Sequence, residues 1–188
     1  IVDTGQNSCY DNSEEISYPE PGDSFYGQDA QYYSNQPSYQ DNGDGTVIDL
    51  NTGLMWQQDP GEKMTYSQAV TGASSFNLAG YNDWRLPTIK ELYSLMDFRG
   101  TDPSAGATSG MIPFIDTDYF IFEYGDTSSG ERIIDSQWTT SSVYRSTVMD
   151  GQEGFFGVNF ADGRIKCYPT ADFKLYFTRY VRGTSYGI

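Results

Sequence analysis

The densest set of side chains that could do chemistry lies between Thr101 and Ser136, where Asp102, Asp116, Asp118, Glu123, Asp126, Glu131 and Asp135 supply seven carboxylates. Calcium takes roughly six to eight oxygen ligands, and Asp116-x-Asp118 with Asp126 nearby could contribute several of them. A solvated acidic loop is the alternative reading of the same residues. Asp41-Asn42-Gly43-Asp44-Gly45 also invites a calcium-loop reading. Setting Gly45 at the sixth place of an EF-hand loop puts Gln40 first and Asn51 twelfth, where acidic ligands are required, so this run reads as a hairpin turn. The chain has no His, which excludes Ser-His and Cys-His nucleophile pairs and His-ligated zinc. Cys9 and Cys167 are too distant in sequence for a metal knuckle or a redox pair. Two alternatives remain for them: one disulfide, as an oxidising compartment would favour, or two unrelated thiols.

Charge narrows the partners. Against 26 Asp and Glu the chain sets 11 Lys and Arg, a net charge of −15 over 188 residues. Such a surface is expected to repel nucleic acid, anionic membranes and sulfated polymers. Apolar runs such as Phe155-Phe156-Gly157-Val158 fall far short of the roughly 20 residues that cross a bilayer, so no direct membrane insertion is expected. The Tyr, Gly, Asn, Asp and Ser rich composition predicts an exported protein, periplasmic, secreted or on a bacterial cell surface. The start at Ile1, with neither basic nor apolar leader, predicts that any export signal has been removed.

The elements that must position these groups follow from local signals. Residues 1–37 are thin in aliphatics and predict an irregular N-terminal arm packed on the domain through Phe25, Tyr26, Tyr32 and Tyr33, with Cys9 as a further anchor. The domain itself spans residues 38–188. Thr46 to Asp49 and Leu54 to Gln57 read as strands around Asn51-Thr52-Gly53. Thr65-Tyr66-Ser67-Gln68 is a capping box opening a helix to Leu78, and Thr88-Ile89-Lys90-Glu91 is a second, opening a helix to Asp97. Gln137 to Ser142, a hairpin of Phe155–Phe160 with Arg164–Tyr168, and Lys174 to Arg182 read as antiparallel strands. Strands, two helices, a long loop and more strands make an α+β domain.

Four segments carry a resemblance. Asp41-Asn42-Gly43-Asp44-Gly45-Thr46-Val47-Ile48-Asp49 with Thr52-Gly53-Leu54-Met55-Trp56-Gln57, then Asp83-Trp84-Arg85-Leu86-Pro87-Thr88-Ile89-Lys90-Glu91-Leu92, then Trp138-Thr139-Thr140-Ser141-Ser142, and last Tyr180-Val181-Arg182-Gly183, occur in the order of one family. Over roughly residues 38 to 183 the chain resembles the C-terminal domain family of the Legionella collagen-like protein. The resemblance implies a C-type-lectin-like fold, a twisted antiparallel sheet with two helices and a long loop region, in a secreted or surface protein with adhesion or glycan binding. Arg85-Leu86-Pro87-Thr88-x-x-Glu91 is also similar to the helix start of formylglycine-generating enzymes and sulfatase-modifying domains. Their active-site cysteine pair has no counterpart in Cys9 and Cys167.

The resemblance makes Trp56, Trp84, Arg85, Thr88 and Glu91 structural, with Arg85 suited to a carboxylate or backbone carbonyls and Glu91 the partner of Thr88. In lectin-like folds ligands sit on the long loop and adjoining strand ends, which implies Tyr119, Tyr124, Trp138, Tyr144 and Arg145 as the binding groups. The expected function is noncatalytic recognition or adhesion, with a glycan or a surface protein as partner and calcium, through Asp116, Asp118 and Asp126, as the one cofactor in view. Two other readings compete: a structural module of a larger surface or pilus-associated protein, and a carboxylate-based glycan-processing enzyme. The last needs two converging carboxylates, and no spacing singles out such a pair.

Overall fold

A computed structural model describes residues 2–103 and 109–185. Its strands are antiparallel and form a two-stranded ribbon and two larger sheets, with two α-helices among the described residues. The ribbon pairs β1 (Cys9–Tyr10) with β2 (Glu15–Ile16). One sheet has the order β10-β5-β4-β3, made of β3 (Tyr39–Asp41), β4 (Thr46–Asp49), β5 (Met55–Gln57) and β10 (Val181–Arg182). In the other, β8 (Glu153–Asn159) pairs along its length with β9 (Arg164–Pro169), and β6 (Gln137–Trp138) and β7 (Val143–Thr147) pair with different stretches of it.

The turn chemistry behaves as expected. Gly43 and Gly45 take φ of +72° and +86°, conformations that cost an L side chain and suit glycine. Asp41 accepts from the Gly43 N–H and Asp44 from the Thr46 N–H, so both carboxylates serve the turn between β3 and β4. The β8–β9 hairpin keeps register from Gly154↔Pro169 to Asn159↔Arg164. Both helices start at their capping boxes but are shorter than expected: α1 spans Tyr66–Gly72 and continues as a 3-10 turn to Ser75, and α2 spans Ile89–Tyr93. After α2 the backbone turns to bond Phe114 and Thr4, through Asp97 and Phe98, in place of the next helical turn.

Two expected strands are also altered. Beyond Trp138 the chain leaves β8: Thr139 donates to the Phe177 carbonyl and Ser141 to that of Pro87, so regular pairing resumes only at Val143. The segment before β10 threads between the sheets, with Tyr176 bonded to Met64, Phe177 to Gln137, and the Tyr180 carbonyl accepting from Gln57. Residues 176–181 are buried on both faces, so their alternation divides two apolar clusters and does not separate core from water. Phe177 and Val181 face the main core around Trp56, Trp138, Leu92 and Phe160, whereas Tyr180 faces Ala69, Trp84 and Leu86.

The N-terminal segment is held differently from the expectation. Phe25, Tyr26, Tyr32 and Tyr33 are exposed, Tyr33 to 83%. The anchors are buried Cys9 and Ala30, the Phe98 N–H donated to Thr4, and the Gln6 side chain donated to Phe98. The two cysteines are free thiols, which corrects the disulfide expectation. Cys9 is enclosed in the β1–β2 ribbon, while Cys167 sits mid-strand in β9 opposite Phe156, beside the backbone of Gly154.

Candidate functional site

The Arg85 to Glu91 motif is a brace. Thr88 caps α2 by accepting the Glu91 N–H, and the Glu91 carboxylate accepts the Thr88 N–H at 2.8 Å. The same carboxylate takes two bonds from the Arg85 guanidinium, 2.8 and 2.7 Å long. Burial favours the protonated acid at Glu91, but the bonds from Arg85 and Thr88 outweigh it and leave the pKa below its ordinary value. Arg85 is further stitched to β10, its backbone N–H donating to Val181. Beside it, Trp84 is 4% exposed, donates its indole N–H to the Tyr81 carbonyl and packs edge-on against Phe76. Trp56 on β5 is fully enclosed in the main core. These five residues position the site and do not form it.

The expected binding set is divided. Trp138 is fully buried, stacked on Phe177 at 5.2 Å and edge-on to Phe160, so it is a core residue and not a ligand platform. Tyr119 is half-buried against Tyr39, and Tyr124 is half-buried edge-on to Phe122. The long loop is therefore lined inward by its aromatics. Its backbone is drawn tight as well: a Cβ on Gly125 would lie 1.9 Å from the Arg132 carbonyl oxygen.

The expected metal ligands do not converge. Asp116 accepts the Asp118 N–H in one turn, while Asp126 caps a 3-10 turn at Thr127–Ser129 and accepts from Ser128 and Ser129. Those bonds hold the Asp126 carboxyl down at about 2. Among the described residues no group of three or more Asp, Glu, Cys or His is placed to hold a metal ion.

Tyr144 and Arg145 remain, consecutive residues of exposed β7 whose side chains point to opposite faces of the sheet. They line a groove of about 710 Å³ whose opposite wall is Tyr66 and Ser67 from the start of α1 and Asp172 from the segment after β9. Tyr66 stacks on Phe155 at 4.6 Å, which fixes its ring against the sheet, whereas Tyr144 stands edge-on to Phe156, the next residue of β8, so its ring lies on the opposite face and only its backbone borders the groove. Ser67 donates to Asp172 at 2.8 Å across the floor. Glu153 is among the lining residues. Arg145 forms no ion pair among the described residues, so its five N–H groups are available to a ligand. One ring, one guanidinium and two carboxylates around an open groove can stack on a ligand face and exchange hydrogen bonds with hydroxyls or amides.

One structural residue escapes the sequence reading. Arg179 is fully buried with its guanidinium 4.9 Å above both the Phe120 and Trp138 rings, and it donates to the carbonyls of Gln57, Gln58 and Ile121. Burial lowers its pKa to about 9, so at neutral pH it is a cation held by carbonyl dipoles and ring faces. It joins the β5 end, the long loop and the last segment. A charged residue within an alternating strand pattern gave no hint of that.

Neither the curated proteins nor the solved structures contain a match to this chain. The family model described as the Lcl C-terminal domain matches residues 45–182, which takes in β4 to β10, both helices and the groove. The chain belongs to the Lcl C-terminal domain family.

Proposed function

We propose that this domain is a noncatalytic recognition module of an exported or surface protein, C-type-lectin-like in architecture, that binds a glycan or a surface-displayed protein through the β7 groove. The observation that carries this reading is exposed Arg145, without an ion pair among the described residues, lining an open groove with the Tyr66 ring and the bonded Ser67–Asp172 pair. Rigid amphipathic rings give contact area at small entropic cost, and a guanidinium with free donors supplies direction. Glu91, the most enclosed carboxylate of the family motif, is committed to Arg85 and Thr88 and has no role in acid–base chemistry in this reading. The groove brings only two carboxylates, one of them bonded to Ser67, so binding there does not depend on calcium. A glycan array run with calcium and again with chelator tests this. Hits that persist in chelator and weaken in Arg145→Ala support it; hits indifferent to both Arg145→Ala and Asp172→Ala refute the groove assignment.

A further inference from the structure

Charge is unevenly divided along the chain. Residues 1–62 hold twelve of the 26 Asp and Glu and none of the 11 Lys and Arg, so fourteen acidic and eleven basic residues fall in the remainder. The N-terminal arm, residues 1–37, has no cation of its own, and the domain lends it none. Seven of the basic residues are ion-paired to carboxylates between Asp83 and Asp162, Arg179 is fully buried, and no ion pair among the described residues reaches the arm.

The arm also presents rings to water. Tyr10, Tyr18, Phe25, Tyr26, Tyr32 and Tyr33 are exposed there, against Tyr81, Tyr144 and Phe173 in the rest of the described chain. Their backbone is fixed by two glutamines. Gln28 bonds the N–H and the carbonyl of Tyr10, each at 2.8 Å, and donates to the Phe25 carbonyl, while Gln31 accepts from the Gly27 N–H and donates to the Pro19 carbonyl. The Tyr18 hydroxyl lies beside Tyr33, and the Tyr32 hydroxyl beside Gly27. Phe25 holds φ of +67°, a conformation that costs a bulky residue, yet its ring is exposed and contributes nothing to the core. Grouped apolar surface of this kind marks an interaction site.

We propose that the arm is a docking surface for an extended, arginine-rich segment of another protein. A guanidinium stacks on a tyrosine or phenylalanine face and donates to a neighbouring carboxylate at the same time, which an ammonium does less well. Glu14 and Glu20 are exposed, with side chains that accept no hydrogen bond among the described residues, and can serve as those carboxylates. Charge complementarity selects the partner. An anionic polymer or membrane is repelled, and a second copy of the chain offers only Lys90, Arg145 and Lys174 outside ion pairs and the core, dispersed over α2, β7 and the segment after β9. The hydrogen-bonded frame keeps the entropy cost of docking small. The arm lies outside the matched residues 45–182, so this surface is separate from what the family shares.

Calorimetric titration of the whole chain with a peptide of Arg-Ser-Gly repeats, its lysine and citrulline counterparts, and maltohexaose tests the assignment. The arginine peptide should bind about fivefold tighter than the lysine peptide, on the scale of one cation–π contact. The citrulline peptide should not bind. Phe25→Asn combined with Tyr32→Ala should weaken the arginine peptide about tenfold and erase its advantage, with the melting temperature unchanged or raised, because both rings are exposed and Asn tolerates the positive φ. Glu14→Gln combined with Glu20→Gln should weaken both cationic peptides alike. Equal binding of the two cationic peptides by the native chain, binding of neither, or full affinity in either double variant would overturn the proposal. Binding of maltohexaose alone, lost in the ring variant, would overturn it in favour of a glycan platform. The arm shares no residue with the β7 groove, so each of these outcomes leaves the groove reading to its own test.

Discussion

Arg85 grips Glu91 through two N–H···O bonds of 2.8 and 2.7 Å, across a span that contains the Leu86-Pro87-Thr88 entry to α2. The pair fixes where α2 begins relative to β10, because Arg85 also bonds Val181 through its backbone. Glu91→Gln keeps the shape and removes the ion pair. It is expected to lower stability by about 3 kcal/mol, since Arg85 would face a neutral amide in a partly buried site. Urea denaturation read by tryptophan fluorescence measures this.

The same carboxylate sets an acid limit. Glu91 has a folded pKa below the ordinary glutamate value, and Asp135, raised by burial but lowered further by its bonds from Arg132 and Gln137, lies at about 2. Groups depressed in the folded state contribute stability that is fully present above their unfolded values and is lost as pH falls through the folded ones. The denaturation midpoint should be flat above the ordinary carboxylate range and fall steadily towards pH 2. In Glu91→Gln the onset of that fall should be shallower.

Trp84 tests the division between scaffold and site. Trp84→Ala removes a ring packed on Phe76 and the Tyr180 cluster and is expected to cost about 3 to 5 kcal/mol. Ligand affinity per folded molecule should be unchanged. A melting temperature equal to that of the native chain would place the ring outside the core.

Arg179→Leu takes the guanidinium donor from the carbonyls of Gln57 and Ile121 and leaves that of Gln58 with the Ile121 N–H alone. A loss of about 3 kcal/mol or more is expected, although leucine is the more apolar residue, because buried acceptors would be left unpaired. Arg179→Lys should recover little of it, as one ammonium cannot serve three carbonyls and two rings together. Thermal melts of the two variants decide this.

The capping boxes, the Asn-Gly and Asp-Gly turn and the β8–β9 hairpin were legible because each depends on residues a few positions apart. The fates of Trp138, Tyr119 and Tyr124 were not, since aromatic residues in an aperiodic loop look alike whether they face water or a core. Phe177, Phe160 and Tyr39, distant in sequence, decide that they face inward. The acidic residues of the same loop misled for a related reason: Asp116 and Asp126 each serve a local turn, and a turn-capping aspartate has the composition of a metal ligand. Tyr144 and Arg145 could be named from sequence, but Tyr66 and Asp172, which complete their groove, belong to a helix start and a late loop that only the fold brings together.

The most direct test of the recognition reading is the binding of array-identified glycans to the native chain and to Arg145→Ala, Asp172→Ala and the double variant, all confirmed folded by equal melting temperatures. The groove assignment predicts a drop of about tenfold in affinity for each single variant, on the scale of one lost charge-assisted contact, and no measurable binding in the double. Undiminished binding by the folded double variant would contradict it.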